Sequence, residues 1–232
     1  MKLLKEKKEF FIILAIFIIS LIMFITLCIV LSKNGGELNI DNRIRDKFYD
    51  TRGSKKGFVY YLYKIITELG NTYVTTIVLV SILIYTRFNK GFFCIALGIF
   101  LGIVLHLLIK DIFDRDRPYE YMMWANEKDK SFPSGHTTNA SILYGFIIYY
   151  LFKNNYINKI KYPTLIIGIF IIILVMISRL VLGCHYFTDV LGGLSLGLMI
   201  LSFIIFLYNL MTKLEMFNEP LLKFKKRYKN EE

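Results

Sequence analysis

Cysteine, proline and tryptophan are scarce in this chain, whose 232 residues include three cysteines, four prolines and one tryptophan. The spacing of Cys28, Cys94 and Cys184 matches no metal-binding motif, so we expect buried thiols rather than a zinc site or a disulfide framework. There is no Pro-rich linker, repeat or low-complexity tract. The sequence therefore predicts one domain over residues 1–232, without a separate soluble module.

Polar residues are also too few to cover a soluble protein of this length. Hydrophobic residues make up 55% of the chain, and its mean hydropathy is +0.50. They occur in long blocks, and a run of about 18 or more apolar residues is typical of a membrane-spanning helix. We therefore predict an all-α polytopic membrane protein, a bundle of six transmembrane helices. The predicted spans are Phe10–Ser32, Leu69–Arg87, Phe92–Ile109, Thr138–Phe152, Pro163–Ile177 and Val190–Leu210.

Basic residues outnumber acidic ones by 29 to 18, a formal net charge of +11. Much of this excess flanks the apolar blocks, where Lys and Arg orient helices and contact anionic headgroups, so a membrane partner is favoured over nucleic acid. With six spans, the basic N-terminus, the second-to-third and fourth-to-fifth connections and the C-terminal tail share one side. The positive-inside rule predicts that this side, with both termini, is cytoplasmic. The basic residues concerned include Lys2, Lys5, Arg87, Lys90, Lys153, Lys159, Lys161, Lys213 and Lys223.

The connection between the first two predicted spans has an amphipathic pattern. Phe58, Tyr61, Leu62, Ile65 and Leu69 fall on one face at helical spacing. Such a helix could lie at the extracytoplasmic membrane surface and roof a lipid entrance, or it could be a packed connector.

Three polar clusters lie at the predicted extracytoplasmic ends of the spans. They are Lys110–Pro118, Pro133–His136 and Ser178–Asp189. The predicted topology brings all three to one membrane surface, which is where we expect the functional site.

The Pro-Ser-Gly-His cluster opens a predicted helix. Ser134 can cap that helix and Gly135 lets its backbone approach a ligand closely, so the free N–H groups could bind an anion. His136 beside them could protonate a leaving oxygen. An ordinary helix cap after a proline would have the same four residues.

Lys110, Arg117 and Arg179 supply positive charge to the same surface. Phosphoryl transfer depends mostly on positioning and on stabilising charge on equatorial oxygens, and guanidinium groups suit that geometry. Each residue alone could instead extend to lipid headgroups. The aspartates of the first cluster alternate with basic residues, which favours pairing with neighbours or water over a metal cluster.

His185 and Asp189 are four residues apart, a spacing that places two side chains on one face of a helix. A carboxylate bonded to one imidazole nitrogen fixes the tautomer and leaves the other nitrogen free to attack. The pair could also be an ordinary contact at a helix end. The third histidine, His106, lies inside the third predicted span and is interpreted as a packed residue outside the site.

Taken in order, the clusters contain Lys, six residues and Arg-Pro, then Pro-Ser-Gly-His, then Ser-Arg, five residues, His, three residues and Asp. This pattern resembles, at every signature position, the three-part signature of the type 2 phosphatidic acid phosphatase superfamily. It covers Lys110 to Asp189, about a third of the chain. The predicted six-span layout resembles the membrane branch of that superfamily.

The resemblance implies a metal-independent lipid phosphatase without a cofactor, similar to bacterial phosphatidylglycerophosphate and undecaprenyl pyrophosphate phosphatases. It implies that His185 attacks phosphorus and becomes a phosphohistidine, that Asp189 orients it, and that His136 protonates the departing group. Arg115 lies outside the signature and could contact a second phosphate or a headgroup. The residues implied to bind the phosphoryl oxygens are Lys110, Arg117, Ser134, Gly135 and Arg179.

Expected substrates are undecaprenyl pyrophosphate, phosphatidylglycerophosphate or phosphatidic acid, and no protein partner is predicted. A phosphotransferase that uses another acceptor remains an alternative. A vanadium haloperoxidase would share the anion-binding signature, but the membrane spans disfavour it. A lipid-binding or transport protein with a decayed site is disfavoured by the intact histidines and aspartate.

Overall fold

The computed structural model describes residues 2–36, 38–53, 57–86, 89–124, 127, 129–154 and 161–214. Within these ranges the secondary structure is helical without a strand, which confirms the all-α prediction for that part of the chain. A short 3-10 helix at Glu120–Met122 lies between the fifth and sixth α-helices. The α-helices are α1 (Lys2–Lys33), α2 (Asn39–Thr51), α3 (Phe58–Glu68), α4 (Thr72–Thr86), α5 (Lys90–Phe113), α6 (Gly135–Lys153), α7 (Lys161–Val181) and α8 (Phe187–Lys213).

Four of the described helices are long and apolar enough to cross a membrane, namely α1, α5, α7 and α8. Helices α3 and α4 meet at a bend of 46° and would make a fifth span if counted as one. The chain is therefore a multi-pass membrane protein. The predicted second span, Leu69–Arg87, starts in the turn between α3 and α4, and its last residue lies outside the described ranges.

Helix α6 is not among the helices that are apolar enough to be identified as spans, because its first two turns are polar. Thr137, Thr138, Asn139 and Ser141 lie there, and all four are buried. Helix α6 packs against α5, α7 and α8, so the rest of the bundle shields these polar groups from lipid.

The main apolar cluster lies between α5, α6 and α8. Cys94, Ile142, Leu143 and Ile204 are fully buried there. Apolar side chains on α1 and α7 point outward instead, as expected where the surrounding solvent is lipid.

The amphipathic segment forms helix α3, which packs against α7. Phe58, Tyr61, Leu62 and Ile65 lie exposed on its outer side, while Leu69 follows its last residue. The predicted helical face is therefore present in α3.

The bundle has two distinct ends. Helices α5 and α7 finish, and α6 and α8 begin, at one of them, which we call the site end because the three polar clusters meet there. At the opposite end, Glu9 of α1 accepts hydrogen bonds from Lys153 of α6 (2.7 Å) and from Asn209 of α8 (3.1 Å).

Candidate active site

His185 lies in the connection between α7 and α8 with 3% of its surface exposed. Its Nε2 atom is 3.2 Å from Nη1 of Arg117, and its Nδ1 atom is 3.5 Å from Oδ2 of Asp189. Because arginine can only donate, Nε2 must be the acceptor, and the ring proton belongs on Nδ1, facing the carboxylate. The lone pair of Nε2 therefore points toward the positively charged side of the site.

His185 and Asp189 do not share a helix, although their spacing would suit one. Helix α8 begins at Phe187, after Tyr186 as its N-cap, so only Asp189 is helical. Asp189 is fully buried, and its Oδ2 atom accepts the backbone N–H of Tyr186 at 2.8 Å. The carboxylate thus fixes the start of α8 as well as facing the imidazole.

Burial and neighbouring cations keep His185 neutral. Desolvation lowers the pKa of His185 most, and the positive charges of Arg117, Arg179 and Lys110 lower that pKa further. The pKa of the imidazole is therefore well below its usual range, and the ring retains its lone pair at neutral pH.

The start of α6 lies beside this histidine, as the Pro-Ser-Gly-His cluster predicts. Ser134 is the N-cap, and its hydroxyl accepts the backbone N–H of Thr137 at 3.5 Å. The backbone N–H of Ser134 donates to the carbonyl of Asp189 at 3.0 Å, which joins α6 to α8. A side chain at Gly193 would clash with the Ser134 carbonyl, so glycine allows this close approach.

His106 lies closer to the site than the sequence indicates. Its Nδ1–H donates to the carbonyl of Gly102 at 2.7 Å, which leaves Nε2 as an acceptor. A Cβ atom at Gly135 would lie 2.8 Å from that Nε2 atom, so the ring packs directly against the turn that opens α6. The sequence did not predict this contact, because His106 stands alone between two leucines and matches no motif.

Lys110, Arg117 and Arg179, which we call the cationic cluster, converge on His185 from three segments. Arg117 is positioned by the carbonyl of Cys184, to which its Nη1 donates at 2.7 Å. Arg179 is almost fully buried and donates through Nη1 to Oγ1 of Thr67 at 2.8 Å. Among the described residues, nothing accepts a hydrogen bond from its Nε atom.

Two carboxylates that the sequence analysis did not single out face this cluster. Asp129 binds Nζ of Lys110 and accepts from Nη2 of Arg117 at 2.6 Å, while Glu127 accepts from Arg179. We call Glu127 and Asp129 the acidic pair. Both precede the Pro-Ser-Gly-His cluster in an irregular connection, so no periodicity indicates their position.

The acidic pair is ionised at neutral pH. Burial would raise the pKa of Asp129, but hydrogen bonds and charge from Lys110 and Arg117 outweigh it and lower that pKa to about 2. Burial would likewise raise the pKa of Glu127, and the guanidinium of Arg179 reverses the effect. Three cations therefore face two carboxylates in this structure.

The remaining predicted site residue, His136, lies on the first turn of α6, within electrostatic range of Arg179, Arg117 and Lys110. The structure therefore brings the predicted site residues together at the site end. No group of three metal-binding side chains occurs among the described residues. Asp114 and Asp116 instead pair with Lys130 at 2.7 and 2.9 Å, and both are largely exposed.

The site end of this helical bundle has the features of a phosphoryl-binding site. They are a histidine–aspartate pair, the N-terminus of α6 and the cationic cluster. Residues 91–213 match the model of the PAP2 superfamily, which is more than half of the chain. The chain therefore belongs to the PAP2 superfamily, and the resemblance in the sequence is confirmed.

Three relatives have functional names. The chain is 43% identical over 98 residues to phosphatidylglycerophosphatase B of Bacillus subtilis (42% of this chain, 48% of that protein). It is 34% identical over 112 residues to undecaprenyl-diphosphatase BcrC of the same organism (47% and 52%). These two matches span about half the length of each Bacillus relative. A third relative, an undecaprenyl-diphosphatase of Sulfolobus acidocaldarius, is 29% identical over 188 residues (77% and 84%).

Two solved structures share the fold. A transmembrane PAP2 type phosphatidylglycerolphosphate phosphatase from Bacillus subtilis superposes with a TM-score of 0.70 at 28% identity, covering 84% of this chain and 94% of that one. LpxE of Aquifex aeolicus superposes with a TM-score of 0.59 at 18% identity, covering 73% and 96%, and this likeness concerns the fold alone.

Proposed function

We propose that this protein is an integral membrane lipid phosphatase that hydrolyses a phosphomonoester or pyrophosphate of a membrane lipid through a phosphohistidine. The observation that carries the proposal is the setting of His185. Its Nε2 lone pair faces the cationic cluster, 3.2 Å from Nη1 of Arg117, while its Nδ1 faces the carboxylate of Asp189. A buried neutral imidazole with this orientation is a nucleophile beside a site for a phosphoryl group.

In the first proposed step, Nε2 of His185 attacks phosphorus and the bond from phosphorus to the leaving oxygen breaks. The developing imidazolium is stabilised by Asp189, which is 3.5 Å from Nδ1. Lys110, Arg117 and Arg179 stabilise charge on the equatorial oxygens. The Nε–H of Arg179 is available for this purpose, because no described residue accepts it. His136, protonated when the negatively charged phosphoryl group is bound beside it, donates a proton to the leaving oxygen.

In the second step, a water molecule attacks the phosphohistidine. The phosphorus–nitrogen bond breaks, His185 recovers its lone pair, and inorganic phosphate leaves. His136, deprotonated by the first step, accepts the proton of the attacking water. Ser134 and Gly135 contribute the start of α6, and N–H groups at the start of a helix suit phosphoryl oxygens.

Phosphatidylglycerophosphate and undecaprenyl pyrophosphate are the first substrates to test, because relatives are named for activity on these lipids. Phosphatidic acid is the third. No metal is required in this proposal, since the cationic cluster supplies the positive charge that a metal would otherwise provide.

We further propose that residues 1–232 form one domain that crosses the membrane six times, with α3 and α4 forming one span and α6 another. Both termini would be cytoplasmic and the site end extracytoplasmic. The contacts of Glu9 with α6 and α8 at the far end of the bundle support opposite sides for the N-terminus and the site.

The test is a panel of the three lipids assayed for phosphate release by the purified protein in detergent, with and without a chelator. We expect turnover of at least one lipid in both conditions, and loss of turnover together with loss of acid-labile protein-bound phosphate in His185→Ala. The exposed variant Asp50→Asn is the matched control. Full phosphate release by His185→Ala would overturn the nucleophile, and activity abolished by the chelator would overturn metal independence. Labelled phosphate recovered on another lipid would identify a phosphotransferase.

A further inference from the structure

Arg115, which the signature does not include, is buried at the site end and makes several hydrogen bonds. Its Nε donates to the carbonyl of Gly36 at 2.8 Å, and its Nη2 donates to Oδ2 of Asp41 at 2.7 Å. Its Nη1 donates to Oγ1 of Thr188 at 2.8 Å and to Oδ1 of Asp189. The guanidinium therefore links the segment before α2, α2 itself and the first turn of α8.

These bonds leave little of Arg115 for a ligand. A guanidinium has five N–H groups, and the contacts above occupy four of them. The guanidinium carbon also lies 4.4 Å from the ring centre of Tyr186. The idea that Arg115 holds a second phosphate or a headgroup is therefore not favoured by its geometry.

Asp41 of α2 completes the arrangement and is itself 1% exposed. Besides Arg115, it accepts the backbone N–H of Thr188 at 2.9 Å and the hydroxyl of Thr188 at 2.6 Å. A carboxylate at this depth is costly unless it is paired. Its partners are Arg115, which also binds Asp189, and Thr188, which directly precedes Asp189. Both contacts therefore act on the start of α8.

Each oxygen of Asp189 is thereby held by a separate donor. Oδ1 is bound by Arg115, and Oδ2 is bound by the backbone N–H of Tyr186. The same Oδ2 atom lies 3.5 Å from Nδ1 of His185. Arg115 and the Tyr186 N–H together fix the direction in which Asp189 faces the imidazole, and Asp41 is the charged partner that helps to hold Arg115 in place.

We propose that Arg115 and Asp41 are positioning residues that orient Asp189 and, through it, His185. This inference rests on the proposed function, because it assumes that His185 is the nucleophile. Neither residue contacts the phosphoryl group in this scheme. Their loss should therefore reduce the rate of the chemical step without weakening substrate binding.

The first test compares Arg115→Ala, Arg115→Lys and Asp41→Asn with wild type in detergent. We expect kcat to fall by roughly 100-fold in Arg115→Ala, because small misplacements of catalytic groups have effects of this size. Asp41→Asn and Arg115→Lys should fall less, since each keeps part of the hydrogen bonding. KM and inhibition by inorganic phosphate should stay within about twofold of wild type. Arg43→Ala and Asp50→Asn, exposed positions on the same α2, are matched controls that should keep wild-type kcat.

Chemical rescue separates positioning from a purely structural role. Arg115 lines a cavity of about 350 Å³ together with Ser32, Gly36 and Tyr186. The space left by the side chain in Arg115→Ala should therefore adjoin this cavity and admit a small cation. We expect guanidinium at non-denaturing concentration to restore at least a tenth of the lost kcat in Arg115→Ala, whereas methylammonium, which lacks the planar fork, should not. Rescue of kcat by guanidinium alone, with KM unchanged, would show that the chemical step requires a planar, multi-donor cation at this position.

The outcomes distinguish this inference from the proposed function. If His185→Ala is inactive while Arg115→Ala and Asp41→Asn keep wild-type kcat, only the positioning role is wrong. A raised KM with unchanged kcat would also overturn it, because that result indicates substrate contact. If His185→Ala keeps full activity, the proposed function itself fails. Where Arg115→Ala does not yield folded protein, Asp41→Asn, which keeps the size of the side chain, decides the question by its kcat.

Discussion

The pKa of His185 depends on the charges around the imidazole, and this dependence can be measured. Burial and the cationic cluster lower the pKa of His185 well below its usual range. Protonation of His185 should therefore contribute to the acidic limb of kcat/KM only at pH values well below about 6.5, the ordinary pKa of histidine. In Arg179→Gln one repelling charge is gone, so the pKa of His185 should rise and the acidic limb should move to higher pH.

The measurement is the pH profile of kcat/KM for wild type and Arg179→Gln on the same lipid, so that ionisation of the substrate cancels in the comparison. Identical acidic limbs in the two proteins, or a shift to lower pH in the variant, would contradict this account of the electrostatics.

The contact between Gly135 and His106 gives a second expectation about single side chains. Gly135→Ala would place its Cβ 2.8 Å from Nε2 of His106, and overpacking of this kind destabilises by about 1–3 kcal/mol. We expect lower thermal stability in detergent and lower kcat. His106→Ala in the same chain should remove the clash and restore much of both, while His106→Ala alone should keep most of the activity. A double variant as impaired as Gly135→Ala would show that the clash is not the cause.

The signature positions could be predicted from the sequence because each is a residue type at a fixed spacing. Ser134 as a helix cap is confirmed for the same reason: local sequence determines local hydrogen bonding. The contacts of His106, Glu127 and Asp129 could not be predicted, since they depend on which distant segment lies opposite them. The role of the Asp41–Arg115 pair also required the structure, because 74 residues separate the two.

Among the larger elements, the connection between α5 and α6 should have the largest effect on phosphate binding, because its acidic pair forms ion pairs with the cationic cluster. In the proposed mechanism, an incoming phosphoryl group displaces Asp129 from Lys110 and Arg117. Removing the negative charge of Asp129 should therefore tighten the binding of inorganic phosphate, by about fivefold for a half-exposed carboxylate.

The measurement is competitive inhibition by inorganic phosphate in Asp129→Asn, with Asp116→Asn as a control. Asp116 is an exposed acid near the site whose partner is Lys130, outside the cationic cluster. Inhibition that is unchanged or weaker in Asp129→Asn would mean that the carboxylate organises the cations rather than competing for them.

Helix positions were predicted better than helix ends or the number of spans. Apolar blocks identify α1, α5, α7 and α8 because length and hydropathy alone define such helices. Helix α6 is different: its polar first turns are buried by neighbouring helices, so hydropathy understates its place in the bundle. The spacing of His185 and Asp189 suits one helix, yet α8 starts two residues after His185, where the Asp189 carboxylate accepts the N-cap N–H of Tyr186.

For the molecule as a whole, the two ends of the bundle should face opposite aqueous compartments. Cysteine introduced for the exposed Asp116 at the site end should react with a membrane-impermeant maleimide on intact cells, because the proposed topology places it outside. Cysteine at the exposed Lys7 should react only after permeabilisation. Cys94 and Cys184 are buried, so a Cys28→Ser background limits native labelling. The reverse pattern would invert the proposed orientation.

The partnership between Asp41 and Arg115 crosses the boundary of the region that matches the PAP2 superfamily model, which begins at residue 91. A fragment trimmed to residues 91–213 would retain every signature side chain yet lose the acid that receives Nη2 of Arg115 and the N–H of Thr188. Chimeras that exchange N-terminal halves between relatives should accordingly succeed only when the donor half brings a carboxylate to the place of Asp41. If Asp41 and Arg115 position Asp189 as proposed, the first helices are part of the catalytic unit, and removing them as a membrane anchor should lower activity.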